Sequence, residues 1–225
     1  MKNILCQVAL EYRLIFRTRA IAYRILFFGI FSLALALLFS RIATPNAATG
    51  WLALFVSTFN LVYAPFMFAW RKEQGRVPGK SGSPEFIIRS KTWLLMLSNL
   101  AGLLVVSPFI IFHLSEVFTG WLLSVICFNI FVHSWLSTYL ALFNRKNINT
   151  GAERIYYSNY NFLIQAIPLV FLILIGFIAE SPWFLDFIYL FMVLLALGSL
   201  LLSRQWMRLI VGRYMKVPDQ VESRL

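Results

Sequence analysis

Apolar runs of about 20 residues recur along this chain, each long enough to cross roughly 30 Å of hydrocarbon at 1.5 Å per helical residue. They fall at 21–40, 51–70, 93–112, 118–143, 162–178 and 184–202. A helix satisfies its own backbone polar groups, so in lipid such a run is expected to be helical. Composition agrees: 60% of the 225 residues are hydrophobic and 13% are charged, against about 25% charged in soluble domains. Too little polar surface is available to coat a water-facing globule. The expected fold is an all-α membrane protein with six transmembrane helices. A tilted helix, or one projecting into the cytosol, can absorb the surplus length of the 118–143 run.

The basic residues set an orientation. Nineteen of the twenty Lys/Arg lie in the N-terminal segment through Arg24, in 71–92, in 144–160 and in the tail from Ser203. The other connections hold only Arg41, with Glu116, Glu180 and Asp186 among the acids on that side. By the positive-inside rule both termini and the two basic loops are expected in the cytoplasm, in a bacterial inner membrane. The net charge of +11 then reads as an orientation signal and a contact for anionic lipids, not as a nucleic-acid surface. Arg24, one turn inside the first run, reads as a side chain snorkelling to the interface.

Three segments follow. Residues 1–20 read as an interfacial amphipathic helix, with Ile4, Val8, Tyr12 and Ile15 in one stripe and Arg13 and Arg17 elsewhere on it. Residues 21–202 form the six-helix membrane domain, and 203–225 a cytoplasmic tail that is partly an amphipathic helix anchored by Trp206. Cys6 and Cys127 match no metal or redox spacing and read as small buried hydrophobes.

The basic loop contains Gly75-Arg-Val-Pro-Gly79-Lys80-Ser81, close to a phosphate-binding loop but one residue short, and a membrane helix precedes it in place of a strand. The following Ser83-Pro84-Glu85 reads as a helix N-cap, a proline at the first helical position and an acid in the first turn. The loop is therefore expected to deliver the chain into the third span, not to bind nucleotide. No paired aspartates, His-Glu-x-x-His or Gly-x-Ser-x-Gly occurs, so no catalysis, metal or cofactor is expected of this chain.

Uncharged polarity within the spans is the remaining signal. Asn129, His133 and Ser137 recur every four residues, and Asn60, Asn99 and Gln165 lie in other spans. They are candidates either to line a route through the bilayer or to hydrogen-bond helices to one another. Gly29, Ser32, Ala36 and Ser40 form a small-residue face in the first span, a candidate packing or dimer surface.

This plan, with LEYRLIFRTRA at 10–20, FMFAWRKEQG at 66–75, FIIRSKTWLL at 86–95 and FNRKNINTGAERIYYSNYNF at 143–162, resembles the permease subunits of ABC-2-type transporters. The last segment is similar to a loop of poorly characterised permeases of this kind from Bacteroidetes. The resemblance implies transport of a substrate while a separate cytosolic subunit binds ATP and Mg and hydrolyses the ATP. It also implies pairing with a second permease copy or a homologous permease. Carried onto this chain, it makes Arg71, Lys72, Glu73, Arg76, Glu85 and Arg89 candidates for coupling to the ATPase, with 2–19 and 144–160 beside the same partner. Such permeases often have a re-entrant segment before the last span, for which AESPWFLD at 179–186 leaves little room. The alternative from another class is a non-transporting membrane scaffold or assembly factor that binds a cytosolic partner through its basic loops.

Overall fold

The computed structural model describes residues 2–17, 19–41, 45–64, 67–68, 83–113, 123–124, 126–142 and 182–216. Among them the regular structure is entirely helical. The elements are α1 (Lys2–Arg17), α2 (Arg19–Arg41), α3 (Pro45–Tyr63), α4 (Pro84–His113), α5 (Ile126–Ala141), α6 (Pro182–Leu201) and α7 (Ser203–Lys216). Within α5 a π turn, Asn129–His133, leads into the α-helical Ser134–Ala141. The expected run at 162–178 and the loop segments 71–82 and 143–160 lie outside the described residues.

Among the described residues two helices are long and apolar enough to cross a membrane, through Ile21–Leu38 in α2 and Pro84–Pro108 in α4. A third is added if Leu190–Leu201 and Ser203–Met215, bent by 67° at their junction, form one broken span. Gly50–Tyr63 and Ile126–Ala141 are shorter apolar helices. The chain is thus a helical protein with helices built for a bilayer. Its outward faces agree: α2 exposes Phe27, Ile30 and Leu38, and α6 exposes Phe187, Leu194 and Leu201, a density of bare apolar side chains that water does not tolerate.

The start of α4 follows from its sequence. The Ser83 hydroxyl accepts a hydrogen bond from the Phe86 N–H at 3.3 Å, and the Ser83 carbonyl accepts from Ile87 N–H at 3.1 Å. Pro84 needs no donor at this position, and Glu85 adds a favourable charge to the first turn. From there α4 runs 30 residues, about 45 Å, beginning nine residues before the apolar run at Trp93.

Helix α1 turns its stripe inward. Val8 and Ile15 are buried, and Ile4 and Tyr12 pack against the same cluster, which includes Ile88, Leu94 and Leu95 of α4. Burying a valine or isoleucine contributes about 1.5–3 kcal/mol. The stripe therefore rests on protein, while Arg13 and Arg17 stay exposed. Cys6 departs from expectation: lying off the stripe, it is exposed, and Cys127 is half-buried. Helix α7 supplies Met207, Ile210 and Tyr214 to the same cluster, with Arg204 and Arg208 exposed.

Helices α2 and α3 pair closely, Ala36 packing with Leu52, Ala53 and Val56. The small-residue face of α2 lies toward α3: Ser32 and Ala36 are buried, and a methyl on Gly29 would sit 3.7 Å from the Phe55 ring. Ser32 donates to its own Phe28 carbonyl at 2.6 Å. This face is covered within the chain, and the side chain of Ser40 lies outside the described residues. A second close approach joins α3 to α4, where a Cβ on Gly102 would lie 3.1 Å from the Val56 Cα. Backbone cannot yield as a flexible side-chain tip can, so leucine at 102 must force the two helices apart. Gly102→Leu should lower the detergent melting temperature strongly. Gly198→Ala and Gly212→Ala, where nothing lies within 4 Å of the added methyl, should maintain or raise stability, by up to about 1 kcal/mol of helix propensity.

Candidate functional site

Two buried polar assemblies lie along α4. The first joins three elements around one carboxylate. Glu11 of α1 accepts from the Lys91 ammonium of α4 at 3.2 Å through Oε1, and from the Tyr63 hydroxyl of α3 at 3.1 Å through Oε2. All three side chains are at least 97% buried. The Phe68 ring centroid lies 5.6 Å from the Lys91 nitrogen, offering its negative face to the cation. Opposite charges in contact, each with a further partner, are the arrangement that makes buried ionisation tolerable.

Two turns along α4, Ser98 donates to the Leu94 carbonyl at 2.7 Å and so accepts from the Tyr12 hydroxyl at 2.6 Å. Burial pushes the Tyr12 phenol above its ordinary value, the bond to Ser98 opposing this in part. The group is therefore a neutral donor at physiological pH. Tyr12, Phe59 and Tyr63 continue the seam as tilted rings with centroids 5.6 and 5.2 Å apart.

The second assembly lies about 12 Å beyond Lys91 along α4, at Asn99. Asn60 of α3, Asn99 of α4 and Asn129, His133 and Ser134 of α5 are all essentially inaccessible. Asn129 is the hub. Its amide donates to the Ser57 hydroxyl at 2.8 Å, and its side-chain oxygen lies 2.7 Å from His133 Nδ1. An amide oxygen only accepts, so this contact assigns the Nδ1 proton to His133. The Asn60 amide approaches Asn129 Oδ1 and Ser134 Oγ at 3.4 Å each, and Asn99 donates to Ser134 Oγ at 3.2 Å.

The π turn makes this convergence possible. Its hydrogen bonds close from i to i+5 rather than i+4, so the return over Asn129 falls between His133 and Ser134, and both reach the hub. The Asn129 carbonyl receives the Ser134 N–H, the Ser134 hydroxyl at 3.1 Å and the Asn99 amide at 3.4 Å. On the neighbouring side Ser199 of α6 donates to the Phe131 carbonyl at 2.7 Å. Side chains from α4 and α6 thus occupy the carbonyls that the widened turn opens.

Of the residues singled out in the sequence, Asn60, Asn99, Asn129 and His133 come together here. Ser137 is buried on the same helix, but its hydroxyl has no hydrogen-bond partner among the described residues, and neither do Asn60 Oδ1 and Asn99 Oδ1. Gln165 lies outside the described residues, as do Arg71, Lys72, Glu73 and Arg76. Glu85 and Arg89 are exposed on the first turns of α4 and bridge each other at 2.7 Å, a pair that contributes little to stability at the surface.

Sequence reasoning missed Glu11, Tyr63, Lys91 and Ser134. Glu11 was findable: it follows Val8 by three positions and precedes Ile15 by four, which places a lone carboxylate on the apolar stripe. Such a group demands a buried cation. Ser134 was not, because a regular helix turns it away from Asn129.

Removing one partner of the ion pair strands the other charge. Lys91→Met should cost about 3–5 kcal/mol, read as a fall in the melting temperature of the detergent-solubilised protein. Adding Glu11→Gln to Lys91→Met should recover part of that loss, and the coupling vanishes if the two residues do not interact. At the second assembly Asn129→Leu removes the hub and leaves buried donors unmet, at a cost of about 1–3 kcal/mol. Leu at the exposed position Arg13 serves as its neutral control. No protein-family model, curated protein or solved structure matches the chain.

Proposed function

We propose that this chain is the membrane-spanning subunit of an ABC-type transporter of the ABC-2 kind. In this reading six helices cross a bacterial inner membrane with both termini in the cytoplasm. The protein pairs with a second permease, and a separate subunit binds and hydrolyses ATP. The reading is supported by what α4 carries along one continuous helix. Its first turns follow the basic loop and hold Glu85 and Arg89, its second and third turns hold the buried Lys91, and its middle holds Asn99 within a polar assembly inside an apolar domain.

The mechanism follows from that arrangement. A partner that grips the basic loop and the start of α4 pushes on a stiff rod. Glu11 and Tyr63 tie α1 and α3 to that rod, so the three elements move as a unit. The displacement arrives at Asn99, whose amide bonds to Ser134 and the Asn129 carbonyl are long, at 3.2 and 3.4 Å. Bonds of that length exchange partners at small cost. The amide oxygens of Asn60 and Asn99 and the Ser137 hydroxyl give a passing polar group something to bind. A transport route needs this, whereas helix packing alone would leave such buried groups satisfied.

The chain should retain an ATPase on purification in mild detergent, identifiable by mass spectrometry. In proteoliposomes, reversal of charge at Arg71, Arg76 and Arg89 together should abolish the chain's stimulation of that ATPase. Asn99→Leu should keep the ATPase bound but lower the stimulation severalfold. An unchanged response in the triple variant overturns the coupling assignment. A bound partner whose activity ignores both the loop and Asn99 identifies a scaffold instead.

A further inference from the structure

A cavity of about 750 Å³ opens between α4, the π-turn region of α5 and the α6–α7 junction. It extends along α4 from Glu85 to Leu100, about 22 Å, which is close to the depth of one leaflet with part of its headgroup layer. Its lining is of two chemical kinds. The charged part is Arg89, Arg204 and Arg208 with a single acid, Glu85. The apolar part includes Leu97, Leu100, Ile130, Phe131 and Leu200, with Trp93 and Trp135 beside them.

The charges of the lining do not cancel. Arg89 is engaged with Glu85 at 2.7 Å. Arg204 and Arg208, four residues apart and hence on one face of α7, have no ion-pair or hydrogen-bond partner among the described residues. Two guanidinium groups side by side repel each other unless an anion joins them, and the planar fork of each suits a phosphate oxygen pair. The α6–α7 junction, bent by 67°, contributes both arginines to the lining of this largely apolar cavity.

We infer that this cavity is a binding site for one anionic phospholipid. Its phosphate is held by Arg204 and Arg208, and an acyl chain lies in the apolar groove between α4 and the π-turn region of α5. A lone phosphate satisfies the arginines but leaves the groove unfilled, and a neutral lipid fills the groove but leaves the arginines uncompensated. Only an anionic amphiphile answers both parts of the lining. The inference rests on the chain being a membrane protein and is independent of any transport activity. The occupant would also wedge α4 against α7, stabilising the bend.

The test is native mass spectrometry of the full chain, purified in mild detergent and exposed to mixed micelles containing phosphatidylglycerol, phosphatidylethanolamine or inorganic phosphate alone. Phosphatidylglycerol should be retained at one equivalent. Arg204→Gln with Arg208→Gln should weaken its retention at least about tenfold, the equivalent of losing one charge-assisted contact. Arg13→Gln with Arg17→Gln, on the exposed face of α1, should leave it unchanged. Leu100→Trp, which fills the groove without touching charge, should also displace the lipid. Circular dichroism spectra matching that of the parent protein establish that the variants fold. Equal retention of phosphatidylethanolamine, competition by inorganic phosphate alone, or undiminished binding in the double arginine variant would each overturn the assignment.

Discussion

The Glu11–Lys91 ion pair is the contact on which the arrangement of this molecule depends. It buries two opposite charges where water is absent, and neither survives there without the other. Each partner lies on a different element, so the pair specifies the register of α1 on α4. Tyr63 brings α3 into the same specification. Hydrophobic contacts such as Val8 and Ile15 against Ile88 supply cohesion, but they tolerate sliding. A buried carboxylate with both oxygens engaged does not. Helix α1 is thereby made part of the packed helical body rather than an appendage beside it.

Helix α4 is the element all of this shares. It meets α1 at Lys91 and Ser98, α3 at Gly102, α5 at Thr92 and Asn99, and α7 along its first half. Its two polar stations differ in kind. At Lys91 every strong group has a partner. At Asn99 several bonds are long and, among the described residues, two amide oxygens have none. Built only for packing, the second station would have its buried polar groups paired. Its retention within an apolar bundle is the physical ground for the transport reading, and the π turn fits, since such turns are stabilised locally at a cost in helix regularity.

Much of the architecture was legible in the chain. The apolar runs of α2 and α4, the Ser83-Pro84-Glu85 entry to α4 and the stripe of α1 all follow from local rules, because helix caps and amphipathic periods are set by neighbours a few positions apart. The asparagines and His133 were also conspicuous, as amides stand out in hydrocarbon. What did not follow was their assembly. Regular periodicity placed Asn129, His133 and Ser137 together, whereas the π turn exchanged Ser137 for Ser134. That shift depends on Asn99 and Ser199 reaching in from other helices. Lys91, which counted in sequence only as one more positive charge near the membrane, proved inaccessible and paired.

The sequence by itself therefore determined the solvent this protein is built for and the helical character of its segments, since hydrophobicity and backbone satisfaction in lipid are properties of single segments. The tertiary structure alone decided which polar groups meet. Glu11 and Lys91 lie 80 positions apart, and no local rule relates them. They are joined because burial makes an unpaired charge so unfavourable that the packing must bring a partner to it.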